Sequence, residues 1–239
     1  MKFILSALRI LWLLLTILTI TGIILPVSVW VIRWFICLAI PTVLIGASVL
    51  LWKRRWLRWL PVLPMLIAGL MFALPSLKFE VKTERDEYCR RLRTFENVRY
   101  LWGGENRQGI DCSGLVRQAL RETSLRRGIA TLNADLLRSA FNIWWSDFPA
   151  KALLDKERGL AVTLFESEAI NMVNSESLEP GDLAVTKDGV HVLAYLGEGE
   201  WIEADPGVGR VIRVTAPVED NVWFERPVVL VRWSVFCGG

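Results

Sequence analysis

Tyr-Leu-Trp-Gly-Gly-Glu-Asn-Arg-Gln-Gly-Ile-Asp-Cys-Ser-Gly-Leu-Val, residues 100–116, is the stretch on which the fold of this 239-residue chain turns. Gly103-Gly104 marks a turn. From Cys112 to Glu122 the apolar residues Leu115, Val116, Ala119 and Leu120 recur at helical spacing. Cys112 therefore stands where a glycine-rich turn enters a helix, with Asp111 at the N-cap position. A thiol there feels the positive end of the helix dipole and unpaired N–H groups, which favour the thiolate. The same N–H groups can receive the oxyanion of a tetrahedral intermediate. The other cysteines have no such setting: Cys37 lies in an apolar run, Cys89 in a charged helix, and Cys237 two residues from the end.

Working outward, the composition splits. Residues 1–77 contain no Asp or Glu, and their only charges are Lys2, Arg9, Arg33, Lys53, Arg54, Arg55 and Arg58. The other 21 of the 28 basic residues face all 25 acidic ones in residues 78–239. The pI of 8.8 is thus no nucleic-acid signal, since the larger part is slightly acidic. Ile10–Ile32 is uncharged, with Phe3–Leu25 readable as one span, and Trp34–Trp52 and Trp59–Leu77 carry no charge either. A bilayer span needs roughly 20 apolar residues, so three transmembrane helices are expected in residues 1–77. The basic loop at 53–58, with Lys2 and Arg9, sets the cytoplasmic side. Residues 78–239 are then extracytoplasmic, and the protein is a multi-pass inner-membrane protein whose partner is the lipid bilayer. Trp30 and Trp34 mark one interface; Trp52, Trp56 and Trp59 mark the other.

Beyond residue 77, Thr83–Phe95 reads as a surface helix, and Cys112–Glu122, Asn133–Trp145 and Lys151–Asp155 as further helices. After the turn Pro180-Gly181-Asp182 the pattern becomes β: Leu183–Thr186, Val190–Leu196, Trp201–Ala204, Val211–Val214 and Val228–Val235. Helices followed by an antiparallel sheet make an α+β domain over 78–239.

The chain has one histidine, His191, so Cys–His chemistry must use it. It heads a second block, His191-Val192-Leu193-Ala194-Tyr195-Leu196-Gly197, after Pro180-Gly181-Asp182-Leu183. The two blocks together resemble the signature of the NlpC/p60 family of cell-wall cysteine peptidases over roughly residues 85–235. The resemblance implies a papain-like α+β fold and hydrolysis of peptidoglycan peptide stems, often between D-γ-glutamate and the following diamino acid. By position it makes Cys112 the nucleophile and His191 the base. The third member, commonly His, Asn or Gln twelve residues after the histidine, is here Glu203. Two-residue alternation across a hairpin near Gly197–Gly199 puts residues 191 and 203 on one sheet face, where a carboxylate can hold the imidazole Nδ1–H. Asp205 has the same parity and is the alternative. By resemblance Tyr100, Asp111 and Ser113 contact the stem peptide; on residue chemistry alone they read as core packing, an N-cap and a first-turn residue.

One histidine and scattered cysteines give no zinc-type spacing, and no phosphate-binding glycine loop is present, so neither metal nor cofactor is expected, and no nucleic-acid partner. Cys112 and His191 lie 79 positions apart, and residues 126–172 hold the excess. In that stretch Trp144-Trp145 reads either as part of a substrate-selecting lid or as buried in an extra helical layer. Cys89 and Cys237 form the pair available for a disulfide. The expected function is a membrane-anchored cysteine endopeptidase. The competing readings are an amidase or acyltransferase on a lipid or lipopeptide, and a non-catalytic domain that binds wall peptides.

Overall fold

The computed structural model describes residues 2–27, 29–155 and 159–237. Ser28, in the first loop, and residues 156–158, between the two sequence blocks, lie outside the described residues. Two long apolar helices open the chain, α1 (Lys2–Ile24) and α2 (Trp30–Leu50), and pack as an antiparallel pair. The Trp12 indole N–H donates to the Val43 carbonyl at 2.9 Å, joining them at mid-length. Leu11, Ile17, Leu38 and Val49 are exposed. An apolar surface of that extent is rarely left against water, and both helices are long and apolar enough to cross a membrane.

The third expected span is corrected. The Trp59–Leu77 run does not form one long helix. It gives a 3-10 turn at Leu57–Trp59, a further turn, and the eleven-residue helix α3 (Leu63–Ala73). Pro61, Pro64 and Pro75 explain the break: each lacks an N–H, and Pro64 sits where proline is tolerated, in the first turn of α3. At 1.5 Å per residue α3 spans only about 16 Å, half of a bilayer core. Its end still returns to the same side as the α1–α2 loop. Phe72 meets Phe141 edge to face at 6.0 Å, and the Phe72 carbonyl accepts from Arg138 at 2.8 Å.

The remainder is α+β, with helices packed on an antiparallel sheet. Its elements are α4 (Val81–Arg93), a two-stranded hairpin of β1 (Glu105–Asn106) and β2 (Gly109–Ile110), α5 (Cys112–Thr131), α6 (Ala134–Ser146) and α7 (Ala150–Leu154). The strands follow: β3 (Ala161–Ser167), β4 (Leu183–Thr186), β5 (Val192–Gly197), β6 (Glu200–Asp205), β7 (Arg210–Thr215) and β8 (Val228–Trp233). They form one sheet in the order β3-β8-β4-β5-β6-β7, with every neighbour antiparallel. Leu115, Val116 and Ala119 of α5 and Tyr88 and Leu92 of α4 pack on Ala194, Ile202 and Val231 of the sheet. A second core, around Trp201, Leu193 and Phe224, fills the other face.

Several expectations change. The sequence reading gave no strand at Ala161–Ser167, yet β3 pairs with β8 along its length, so the long stretch between the blocks supplies a sheet edge as well as helices. α4 is less of a surface helix than expected: besides Tyr88, Cys89 and Leu92 it buries Glu84 and Arg85, paired with Arg127 and Glu179 at 2.8 Å each. The Cys89–Cys237 disulfide is absent. Both thiols are free, with Cys89 buried in the core and Cys237 exposed. Trp144 and Trp145 are half-buried and do not line the cleft that holds Cys112. They pack on the anchor: Trp145 meets Trp34 at 4.9 Å, and the Arg33 guanidinium lies over Trp144.

Candidate active site

Cys112 is the first residue of α5, and its place is set by the turn before it. Asp111 caps the helix: its Oδ1 accepts from the Gly114 N–H at 2.6 Å and from the Ser113 hydroxyl at 3.0 Å. Its Oδ2 accepts from the Gly103 N–H at 2.8 Å. Gly103 has φ +72, a conformation that favours glycine. Gly114 lies so close to the Gly104 carbonyl that a Cβ there would collide with it. With Gly114 capped, the N–H groups of Cys112 and Ser113 remain as first-turn donors without an intrahelical acceptor.

His191 is delivered from the opposite side by the turn between β4 and β5. The Thr186 hydroxyl donates to Asp188 at 2.6 Å and accepts from the His191 N–H at 3.0 Å, while Gly189 turns the chain at φ +72. The imidazole is 2% exposed and lies close enough to Cys112 for that sulfur to raise its pKa. In its thiol form Cys112 can instead donate to the Val190 carbonyl, at 3.8 Å. On the far side of the ring, His191 Nε2 meets Glu203 Oε2 at 2.6 Å, and Glu203 is fully buried. The nitrogen differs from the expected one. Glu203, on β6, takes Nε2 and not Nδ1.

Burial works against a charged His191, but the sulfur of Cys112 and the carboxylate of Glu203 outweigh it and raise its pKa to about 9. Near neutrality the ring is therefore an imidazolium. Tyr100 is held neutral by burial, which with the nearby charges of Cys112, Asp111 and Asp205 pushes its pKa up to about 12. Cys89, by contrast, is pushed up to about 12 mainly by burial, which leaves it an inert thiol.

Sequence-expected residues Tyr100, Asp111, Cys112 and Ser113 line one cleft of about 230 Å³, with Arg117, Asp147 and exposed Trp102 also on its walls. Asp205 does not face His191. Its Oδ1 accepts from the N–H groups of Gly207 and Val208, at 2.5 and 3.1 Å, and closes the next turn. Two residues escaped the sequence reading. Asn221 donates to Glu203 Oε1 at 2.6 Å, so both carboxylate oxygens are engaged. Trp223 stacks on His191 at 4.0 Å, with the rings 18° apart. Both lie in a loop without periodicity, which no local sequence signal marks. Among the described residues no cluster of His, Cys, Asp or Glu is arranged to hold a metal ion.

Residues 97–232 match the NlpC/P60 family. No curated protein matches the chain. Similar solved structures include the P60 domain of an antigen from M. avium subspecies paratuberculosis, 17% identical, covering 64% of this chain and 96% of that one, with a TM-score of 0.37. The peptidoglycan hydrolase RipB of Mycobacterium tuberculosis is 21% identical over 62% of this chain and 65% of its own, at a TM-score of 0.39. An NlpC/P60 family protein from Bacillus cereus is 20% identical over 66% and 41%, at 0.38. The chain spans less than two thirds of the last two.

Proposed function

Because the chain belongs to the NlpC/P60 family, we propose that it is a membrane-anchored cysteine endopeptidase that hydrolyses peptide stems of peptidoglycan, at the D-γ-glutamyl–diamino acid bond. The observation that carries this reading is the buried line from Cys112 through His191 to Glu203 at the head of a cleft. The Cys112 thiolate attacks the stem carbonyl, and the first-turn N–H groups of α5 receive the oxyanion. His191 gives its proton to the leaving amine, then takes one from the water that hydrolyses the thioester. Glu203 stabilises the imidazolium and fixes its orientation. Tyr100, Asp111 and Ser113 meet the stem, with Tyr100 as a neutral hydroxyl donor.

Residues 1–77 serve as the inner-membrane anchor and 78–239 as the extracytoplasmic catalytic domain. What supports that topology is that the α1–α2 loop and the end of α3 both contact the domain, at the opposite end of α2 from the basic loop. The test is to incubate the full chain in detergent with purified muropeptides and follow products by mass spectrometry. Stem cleavage that Cys112→Ala abolishes is the expected result. Cleavage that survives Cys112→Ala, or binding without turnover by the parent chain, sinks the assignment.

A further inference from the structure

A second pocket, of about 350 Å³, lies where the anchor hairpin meets the domain, away from the cleft. Its lower wall is apolar and comes from the membrane helices and their loop: Ile23, Leu25, Ile36 and Ile40. Its upper wall comes from the domain: Glu105 and Asn106 of β1, Arg121 of α5 and Trp144 of α6, with the Glu105 carboxylate taken up by Arg33. Arg121, half-buried, has no hydrogen bond or ion pair among the described residues, and the carboxylates of Glu105 and Glu122 act on it only at longer range. Arg33 and Arg117 nearby are spoken for, since both pair with Glu105 and Asp147. With Arg107, which pairs with Glu122 at 3.6 Å, four guanidinium groups thus face three carboxylates, which leaves one positive charge over, at the level where apolar helix gives way to polar domain.

We propose that this pocket holds the phosphodiester of an anionic membrane phospholipid against Arg121, with the start of an acyl chain along Ile23, Ile36 and Ile40. A guanidinium is suited to phosphate by its planar fork of donors and its weak hydration. One phosphodiester charge matches the single uncompensated cation. A zwitterionic choline lipid would bring a second cation beside it. The apolar wall suits hydrocarbon, and a guanidinium at its polar edge stands where a headgroup phosphate would lie. This inference rests on the membrane reading of α1 and α2.

The test uses the full chain in detergent micelles, titrated with phosphatidylglycerol or with phosphatidylcholine of the same acyl chains, and reads retained lipid by native mass spectrometry. Phosphatidylglycerol should be retained roughly tenfold better, as one charge-assisted hydrogen bond implies. Arg121→Gln should abolish the preference and Arg121→Lys keep most of it. Ile40→Trp, which fills the apolar wall without touching charge, should lower retention even if Arg121→Gln proves poorly folded. Equal retention of the two lipids, or a preference indifferent to Arg121→Gln, overturns the proposal. Displacement of the lipid by inorganic phosphate, beyond that by chloride at equal ionic strength, assigns the site to free phosphate and overturns it too. Carbonate extraction of membranes tests the anchoring separately: a chain released by carbonate refutes the membrane reading. A chain that stays while losing lipid selectivity refutes the pocket alone.

Discussion

Replacing Glu203 by Gln removes one oxygen's charge and puts an amide NH2 where only acceptors fit. Both positions around that carboxylate are occupied by donors, His191 Nε2–H at 2.6 Å and Asn221 Nδ2 at 2.6 Å. A hydrogen bond to a charged group contributes about 1.5–3 kcal/mol net, which corresponds to about 1–2 pKa units. The imidazolium of His191, which holds its proton to about 9, should therefore release it near pH 7–8 in the variant, by roughly that margin. Alkylation of Cys112 by chloroacetate reports this without a substrate, because the anionic reagent is drawn by the imidazolium. The Cys112 peptide must be followed by mass spectrometry, since Cys237 is also free and exposed. The alkaline limb of the rate should shift down, with a loss of about two- to tenfold at pH 8. The stability consequence has a definite sign. A raised His191 pKa contributes stability fully present below the unfolded value of about 6.5 and lost as pH rises through about 9. The Tm gap between parent and variant should accordingly be widest near pH 6.5 and close in alkali. A limb that stays near 9 in Glu203→Gln refutes the role given to this carboxylate.

Three further outcomes are expected. Asn221→Ala strands Glu203 Oε1 in the core, which should cost about 1–3 kcal/mol in thermal unfolding; a variant as stable as the parent would remove Asn221 from the site. Asp111→Ala strips the α5 N-cap and frees the Gly103 N–H, so unfolding should show a loss of at least about 1 kcal/mol, while Asp111→Asn keeps the cap on Gly114 but sets its NH2 against the Gly103 N–H and recovers only part of it. Arg33→Ala leaves Glu105, whose pKa burial already pushes up to about 7, without its closest partner. Breaking a buried pair from one side costs about 3–5 kcal/mol, so amide exchange in residues 24–33 and 103–106 should accelerate together; exchange confined to one segment would argue against docking through this pair.

What the sequence disclosed, and what it hid, follows from how far each signal reaches along the chain. Cys112 at a helix start was legible because turn, cap and apolar spacing lie within about fifteen residues. Glu203 could be placed on the same sheet face as His191 because a tight hairpin fixes register locally; the bulge between Tyr195 and Gly197 did not upset it. Which imidazole nitrogen Glu203 meets depends on the side from which α5 arrives, a tertiary fact. Asn221 and Trp223 come from a loop after β7 whose approach to His191 no local pattern encodes. β3 was hidden because its pairing partner, β8, is more than sixty residues away. The shortened third helix was readable in principle: three prolines in Trp59–Leu77 weigh against an unbroken span, and hydropathy alone masked them.

The composition break at residue 77 looks like a clean division between anchor and domain, yet the hydrogen bonds run across it. The Glu105 N–H donates to the Pro26 carbonyl at 2.8 Å, and Val27 bridges to Gly104. Asn106 donates to the carbonyls of Ile24 and Leu25, at 3.0 Å each. Gly104 in turn accepts from the Asp111 N–H at 3.2 Å, and Gly103 donates to the Asp111 carboxylate. The loop between the first two helices is thus joined, through the β1–β2 hairpin and its glycine turn, to the cap of the helix that carries Cys112. Backbone groups buried in such an arrangement have to be paired, and here part of that pairing is supplied from residues 24–27. Charge and hydropathy report where a segment resides; they carry no information about which backbone groups it completes. That is why a boundary drawn from composition can be right about the solvent each part meets and still cut through the support of the catalytic helix.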